Sequence, residues 1–449
     1  MIPLLILLLG IVIVVGLIVG LRINAFVALI TAAIVISILS PGEWSVKIAR
    51  VATSFGSTAG SIGIVIAMAA VIGVTMMSSG AADRVVKAFI RFLGQERGSP
   101  ALAGSGFVLS IPVFFDTVFY LLIPLARSMF SQTGRDYLKY VVAIAAGAAA
   151  THALVPPTPG PLVIAENLGI DLGTMILVGA LVALPATTLG ILYAGWLNRK
   201  MTVPMRDVPG IEITTEKLTQ LPNLGLSVLP IVLPIVLIAG KTIFLPLIGD
   251  NSLLSHWIYV LGDANMALLL AAIASTTLYI YMRRPSRKDL SSVIEQSLMS
   301  GGLIILITAA GGTFGAMLKE AQIGPAISNL FAGSSGSSGI GMLILGFGIA
   351  SLLKFAQGSS TVAMITASAM LAAMITPESL NYNLVYLGTA IGGGSLVGSW
   401  MNDSGFWIYS KMSGLTEVET LKSWSVLLII LGSTAGVISI LLSIFLPLA

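Results

Sequence analysis

Apolar runs long enough to cross a bilayer as a helix, a length of roughly 17 to 25 residues, occur near 2–20, 23–40, 57–79, 137–168, 173–197, 226–248, 264–282, 299–318, 383–411 and 424–448. About ten such runs commit the chain to lipid. The composition agrees: 56% of the 449 residues are apolar, 9% are charged and the mean hydropathy is +1.00, far too little charge for a soluble surface. The expected fold class is therefore an all-α polytopic membrane protein. Met1 to Gly20 has no positive residue before its apolar run and no small-residue cleavage pattern, so it is expected to be the first span rather than a signal peptide.

Two of the runs carry a break where a membrane helix should continue. Val155 to Pro161 (VPPTPGP) interrupts the stretch 137–168, and Trp400 to Trp407 (WMNDSGFW) interrupts 383–411. Aligning the two halves at an offset of about 245 pairs Gly147 with Gly392, Gly160 with Gly405 and Gly169 with Gly414. Further upstream, Gly60 and Gly73 pair with Gly302 and Gly315, and Ser110 and Phe114 with Ser351 and Phe355, at an offset of about 241. Two more apolar segments, 101–129 and 341–373, are interrupted by Ser110 to Asp116 and by Lys354 to Thr361. Each is expected to be a re-entrant hairpin, since an arm of about 11 residues is roughly 16 Å long and reaches the bilayer midplane.

Each half then has about five transmembrane helices, one re-entrant hairpin and one broken helix. An odd number of crossings makes the second half upside down relative to the first, so the prediction is two inverted-topology repeats, 1–198 and 223–449, joined by a polar cytoplasmic linker at 199–222. Unwound backbone at membrane depth is tolerated only where protein or a water-filled cavity satisfies its polar groups. A matched pair of breaks thus points to a binding site, and to a secondary transporter.

Charge orients this arrangement, because cytoplasmic loops collect Lys and Arg. Lys47, Arg50, Lys241 and Lys319 fall on one side, and Lys354 lies inside the second hairpin. All other Lys and Arg, among them Arg84, Lys87, Arg127, Arg199 and Arg283, fall on the side reached after odd-numbered spans. Both termini are expected outside, with the first hairpin entering from the cytoplasm and the second, flanked by the Ser/Gly-rich sequence 333–339, from outside. Glu43 to Ser54, Asp83 to Phe92 and Arg287 to Ser297 have polar faces suited to helices lying in the interface.

Several function classes drop out. Cysteine is absent and only His152 and His256 offer imidazole, which removes disulfides, thiol catalysis and thiolate metal sites. No metal or cofactor is expected. A net charge of +4 without a clustered basic soluble surface does not indicate nucleic acid. Gly240-Lys241-Thr242 is only a fragment of a phosphate loop, with Ile235 where its first glycine belongs. An intramembrane hydrolase lacks a positioned base near Gly333-Ser334-Ser335-Gly336, so no enzyme is expected. A channel is compatible with two re-entrant hairpins.

Within the hairpins and breaks, Asp116 is a carboxylate at a tip, costly there unless paired, protonated or solvated. Gln357, Gly358, Ser359, Ser360 and Thr361 offer small and polar groups at the start of a half-helix, whose N-terminus favours anions. Lys354 either binds a carboxylate, pairs with Asp116 or Asp403, or snorkels toward a wet cavity. Asn402, Asp403, Ser404 and Gly405 bring donors, acceptors and a flexible point, with Asp403 and Asp116 the candidates for carrying a proton and Na⁺ coordination the rival role. His152 is either a relay or a structural histidine. Thr117, Thr151, Thr158, Gly160 and carbonyls freed by the prolines complete the set.

The strings VFFDTVFYLLIPLA, THALVPPTPGPL, AQGSSTVA and NDSGFW, spread over both halves, closely resemble the gluconate permease family of bacterial sugar-acid and D-serine transporters, over about residues 55 to 415. This resemblance implies a multi-pass inner-membrane proton symporter for gluconate-like hydroxy acids. It also implies the inverted-repeat architecture of the wider ion transporter superfamily, with an elevator motion against a dimeric scaffold. Thr158 stands where that family's pattern has histidine and Lys354 where it has arginine. The expected cargo is a small anionic hydroxy-carboxylate, its carboxylate facing Ser359 to Thr361 and Lys354, its hydroxyls meeting Asp116, Gln357, Asn402 and Thr158. The alternatives are Na⁺ coupling, or another acid such as D-serine.

Overall fold

The computed structural model describes residues 2–94, 97–206, 221–248, 252–322, 339–375, 380–401 and 403–448. All regular structure among them is helical, which satisfies each backbone polar group within its own segment where hydrocarbon offers no water to bond. The first part contains α1 (Ile2–Val15), α2 (Ala25–Leu39), α3 (Ala49–Ser79), α4 (Ala81–Leu93), α5 (Gly98–Leu109), α6 (Phe115–Thr133), α7 (Tyr137–Leu154), α8 (Pro159–Leu168) and α9 (Leu172–Lys200). Beyond residue 221 come α10 (Leu224–Ile248), α11 (Leu253–Leu261), α12 (Ala264–Arg283), α13 (Arg287–Glu320), α14 (Gly339–Gln357) and α15 (Ser360–Ala372). The chain closes with α16 (Val385–Gly394), α17 (Ser404–Ser413), α18 (Glu417–Thr420) and α19 (Val426–Phe445).

Eight helical stretches among the described residues are long and apolar enough to cross a membrane, fewer than the ten runs read from sequence. The first two runs account for part of the difference. They form shorter apolar helices, Pro3–Ile18 and Ala25–Leu39, separated where Arg22 takes a positive φ and Asn24 caps α2 by accepting from the Phe26 amide at 2.9 Å. Large apolar side chains face outward on the spanning helices, for example Leu192 on α9 and Phe445 on α19. That outward belt is what lipid requires, and the protein is a multi-pass membrane protein.

Two of the three polar-faced stretches do not form separate interfacial helices. Arg287 to Ser297 is the first third of α13, which starts at a Ser286–Asp289 capping box and runs unbroken for 34 residues, about 51 Å. No proline or turn residue separates the polar segment from the apolar one, so the helix continues through it. Glu43 to Ser54 is a single 3₁₀ turn, Trp44–Val46, leading into α3. Arg50 pins this entry by donating to the Ser37 carbonyl at 2.6 Å and to Pro41 at 2.9 Å. Only Asp83 to Phe92 is a helix of its own, α4, with Val85 and Val86 buried and Lys87 and Arg91 exposed.

The two segments expected as hairpins are helical hairpins, α5–α6 turning at 110–114 and α14–α15 turning at Gly358-Ser359. The second tip is shorter than the sequence suggested: α14 runs to Gln357, so Lys354 sits in its last turn. Gly358 turns the chain with φ +79°, a conformation only glycine adopts freely. The fourth run stops at Leu154 and resumes at Pro159, so Pro159 and Pro161 belong to the first turn of α8 rather than to the gap. Proline suits that position because the amides there have no helical partner. In the ninth run helix ends at Gly394 and resumes at Ser404, six residues earlier than the tryptophan that marked the expected break. Consecutive Gly392, Gly393 and Gly394 weaken the helix there, and Ser395 closes it by donating to the Gly392 carbonyl at 2.7 Å.

Helix α7 is buried on nearly every side and packs on α5, α6 and α9. Gly147 allows this: a Cβ there would lie 2.0 Å from the Ala103 carbonyl oxygen of α5. The short helices after the two gaps cross over between the halves of the chain. Helix α8 packs on α15 of the second hairpin, and α17 packs on α6 of the first. This exchange brings the two hairpin tips, the end of α7 and the gap before α17 to one place.

Candidate functional site

Where those four features meet lies a cavity of about 140 Å³. The first turn of α6 contributes Phe115 and Asp116, and α7 contributes Ala149 and His152. Lys354 comes from the end of α14, with Ser359, Ser360 and Thr361 at the start of α15. Asp403, Ser404 and Gly405 enter from the start of α17, Leu396 from the gap before it, and Trp424 and Leu428 from the last spanning stretch.

Three helices, α6, α15 and α17, therefore begin at the cavity. Each N-terminus presents amides without helical partners and carries a partial positive charge. The Ser359 hydroxyl accepts from the Val362 amide at 3.3 Å, and an Asp403 oxygen accepts from the Gly405 amide at 2.9 Å, so α15 and α17 are capped by side chains of the cavity itself. Helix α6 has no such cap; Asp116 sits in its first turn.

The charged centre is a buried ion pair. Lys354 is 1% exposed and Asp403 5%, and Lys354 Nζ lies 2.7 Å from Asp403 Oδ2. The ammonium also donates to the Gly358 carbonyl at 2.8 Å. Asp403 Oδ2 accepts a second, short hydrogen bond from Ser399, whose Oγ in turn accepts from Trp424 Nε1 at 2.7 Å. A buried pair persists only when extra hydrogen bonds support it; here the Gly358 carbonyl supports the ammonium, and the Ser399 hydroxyl and Gly405 amide support the carboxylate. Of the three roles open to Lys354, the structure shows pairing with Asp403. Asp116 lies near enough to feel the charges of both but makes no salt bridge among the described residues.

Not every candidate reaches the cavity. Thr158 was expected to meet substrate, yet its hydroxyl donates to the Val155 carbonyl at 2.6 Å and the His152 carbonyl at 3.0 Å. It closes the end of α7 and satisfies two of the carbonyls freed by the prolines. Gly160 serves packing, since a Cβ there would lie 2.0 Å from Met364 Cε on α15. Thr117 and Gln357 are half-buried beside the lining, and Gly358 supplies a carbonyl to Lys354 rather than to the cavity. Thr151 is fully buried with its hydroxyl unpartnered. His152 lines the cavity, its Nδ1 without a hydrogen-bond partner and its ring edge-on to Phe114 with centroids 6.4 Å apart. Asn402 lies outside the described residues, as do 207–220 and 323–338.

Trp424, Ser399, Phe115, Ala149, Leu396 and Leu428 are the residues that sequence reasoning did not find. Trp424 stacks obliquely on Phe115 at 5.0 Å and on Tyr409 at 5.3 Å, closing one wall.

The model of the GntP family permeases matches residues 2–445. The chain belongs to that family. This GntP permease is 33% identical over 427 residues to the gluconate permease of Pseudomonas aeruginosa, covering 94% of this chain and 93% of the relative. It is 31% identical over 428 residues to the low-affinity gluconate transporter of Escherichia coli K12, again covering 94% and 93%. Among solved structures it is similar to the Alcanivorax borkumensis YdaH transporter, with a TM-score of 0.67 at 15% identity over 95% of this chain and 98% of that one. The permease family places the chain among transport proteins, not enzymes.

Proposed function

We propose that this GntP permease is a secondary transporter that imports gluconate or a similar small hydroxy-carboxylate by proton symport. The observation that carries this reading is the buried Lys354 at a cavity onto which three helix N-termini open. Lys354, once released by Asp403, and the N-terminus of α15, whose first turn carries no acidic residue, favour a carboxylate. Ser359, Ser360, Thr361, Ser404 and Asp116 supply partners for hydroxyl groups. The names of the related gluconate permeases point to the same cargo class.

The transport cycle follows from the architecture we assign to it. The two halves, 1–198 and 223–449, are inverted repeats joined by a cytoplasmic linker at 199–222. Hairpins α5–α6 and α14–α15 re-enter from opposite faces of the bacterial inner membrane, both termini lie outside, and the interrupted helices α7–α8 and α16–α17 meet the tips at midplane. The hairpins and interrupted helices move as an elevator against a dimeric scaffold. A volume of about 140 Å³ is below the roughly 300–1,000 Å³ of ordinary ligand clefts, so a sugar acid enters only when a tip shifts.

The deciding experiment is uptake of radiolabelled gluconate into proteoliposomes under an inside-alkaline pH gradient without Na⁺. Accumulation above equilibrium that an uncoupler abolishes supports proton symport, and competition by unlabelled sugar acids and D-serine ranks the cargo. Accumulation only with a Na⁺ gradient would replace the proton by Na⁺. No uptake of any acid by folded protein would sink the reading.

A further inference from the structure

We propose that Lys354 is a shared cation. Asp403 holds it while the site is empty, the carboxylate of the cargo takes it when the site fills, and a proton taken up by Asp403 permits the exchange. This rests on the carboxylate-carrier reading above and specifies how its two fluxes are tied together.

The geometry sets the constraint. Lys354 Nζ has two partners, Asp403 Oδ2 at 2.7 Å and the Gly358 carbonyl at 2.8 Å, and the side chain is 1% exposed. The cavity borders both members of the pair. An arriving carboxylate that claims the ammonium leaves Asp403 without its counter-charge in a site where solvent barely reaches it. A buried charge stripped of its partner is strongly unfavourable, whereas a protonated carboxyl is neutral and can donate a hydrogen bond. Protonated Asp403 keeps its other contacts. Oδ1 still caps α17 through the Gly405 amide at 2.9 Å, and the Ser399 hydroxyl remains beside Oδ2. The net charge of the site is then the same empty and loaded, with one proton and one carboxylate added together.

The groups facing Asp403 narrow the choice of proton carrier. They are Asp116 on α6, His152 on α7 and Lys354 on α14, while α19 presents only Leu428 and the adjoining turn Trp424. Asp116 is half-buried and holds no ion-pair partner among the described residues, so the arrival of cargo does not strip it of one. Asp403 alone both loses a counter-ion and is sealed from water.

Proton count on binding tests this directly. Gluconate is titrated by calorimetry into purified protein in buffers of different ionisation enthalpy, and the experiment is repeated with Asp403→Asn. The expected result is about one proton taken up per gluconate bound, with affinity falling about tenfold per pH unit over the range in which only the loaded form is protonated. Asp403→Asn, which keeps the helix cap, is expected to bind gluconate with no proton uptake and with pH-independent affinity. It should still catalyse gluconate counterflow but not gradient-driven accumulation. Gluconate binding to the unaltered protein without proton uptake overturns the exchange while leaving the carrier reading intact. Uptake retained by Asp403→Asn and lost by Asp116→Asn overturns it in favour of Asp116. No binding by the folded protein overturns the carboxylate reading itself. Should Asp403→Asn fail to fold, Asp116→Asn decides: proton uptake kept by that variant is expected, and uptake lost by it overturns the assignment to Asp403.

Discussion

Gly147 and Ala103 hold α7 against α5 so closely that a Cβ at 147 would sit 2.0 Å from the Ala103 carbonyl oxygen. The obstacle is backbone, so it cannot move aside as a flexible side chain would. Gly147→Ala is expected to lower stability by about 1–3 kcal/mol or more, read as a lower melting temperature in detergent and as reduced yield. Gly195→Ala on α9 is the control. Nothing lies within 4 Å of its added Cβ, and replacing a helical glycine there should stabilise by about 0.5–1 kcal/mol.

Breaking the buried pair from one side should cost more than removing it. Lys354→Ala strips Asp403 of its buried counter-charge, a loss of about 3–5 kcal/mol. Lys354→Met combined with Asp403→Asn removes both charges and keeps a capping side chain at 403. The double variant is expected to recover most of the lost thermal stability and none of the transport. Melting curves across pH, paired with uptake assays, separate the two effects, and equal melting of single and double variants would contradict the coupling.

Trp424→Phe keeps an aromatic ring between Phe115 and Tyr409 but deletes the N–H that Ser399 accepts at 2.7 Å. The expected loss is about 0.5–1.5 kcal/mol. If that loss falls on the loaded site, the apparent KM for the carried acid rises by about two- to tenfold. An unchanged KM with a lowered melting temperature would confine Trp424 to packing.

Arg206, six residues beyond the end of α9, makes two hydrogen bonds to Glu419, at 2.7 and 2.9 Å, and one to the Gly414 carbonyl at 2.8 Å. Its own carbonyl accepts from Arg127 of α6 at 2.8 Å. Arg206 thereby ties the chain after α9 to the first hairpin and to the end of α17. Both partners are partly exposed, so Arg206→Gln is expected to cost about 1 kcal/mol or less, and the difference in melting temperature from the unaltered protein should narrow in high salt.

The helical, membrane-spanning character of the chain is legible in its apolar runs, and the neighbourhood of the site in its interruptions. Prolines made the gap after Leu154 visible because they cannot continue a helix. The gap after Gly394 was misplaced because its first residues, Ser395 to Ser399, carry no proline and read as an ordinary apolar run. Lys354 and Asp403 stood out as charges in hydrocarbon, but which partner each would take depends on how α14 meets the gap before α17, and spacing along the chain does not encode that. Thr158 looked like a ligand because it sits among prolines; its hydroxyl is spent on the carbonyls those prolines release. Trp424 escaped notice because one indole on a long apolar helix is indistinguishable from a lipid-facing anchor until the helix is packed.

That same indole gives the cavity an internal fluorophore. Trp424 is 3% exposed, borders the cavity and bonds to the serine that touches Asp403. Its emission is therefore set by the field of one ion pair and hardly at all by bulk water. With the other five tryptophans replaced by phenylalanine, the colour of a single side chain reports whether Lys354 is held by its own protein or by its cargo.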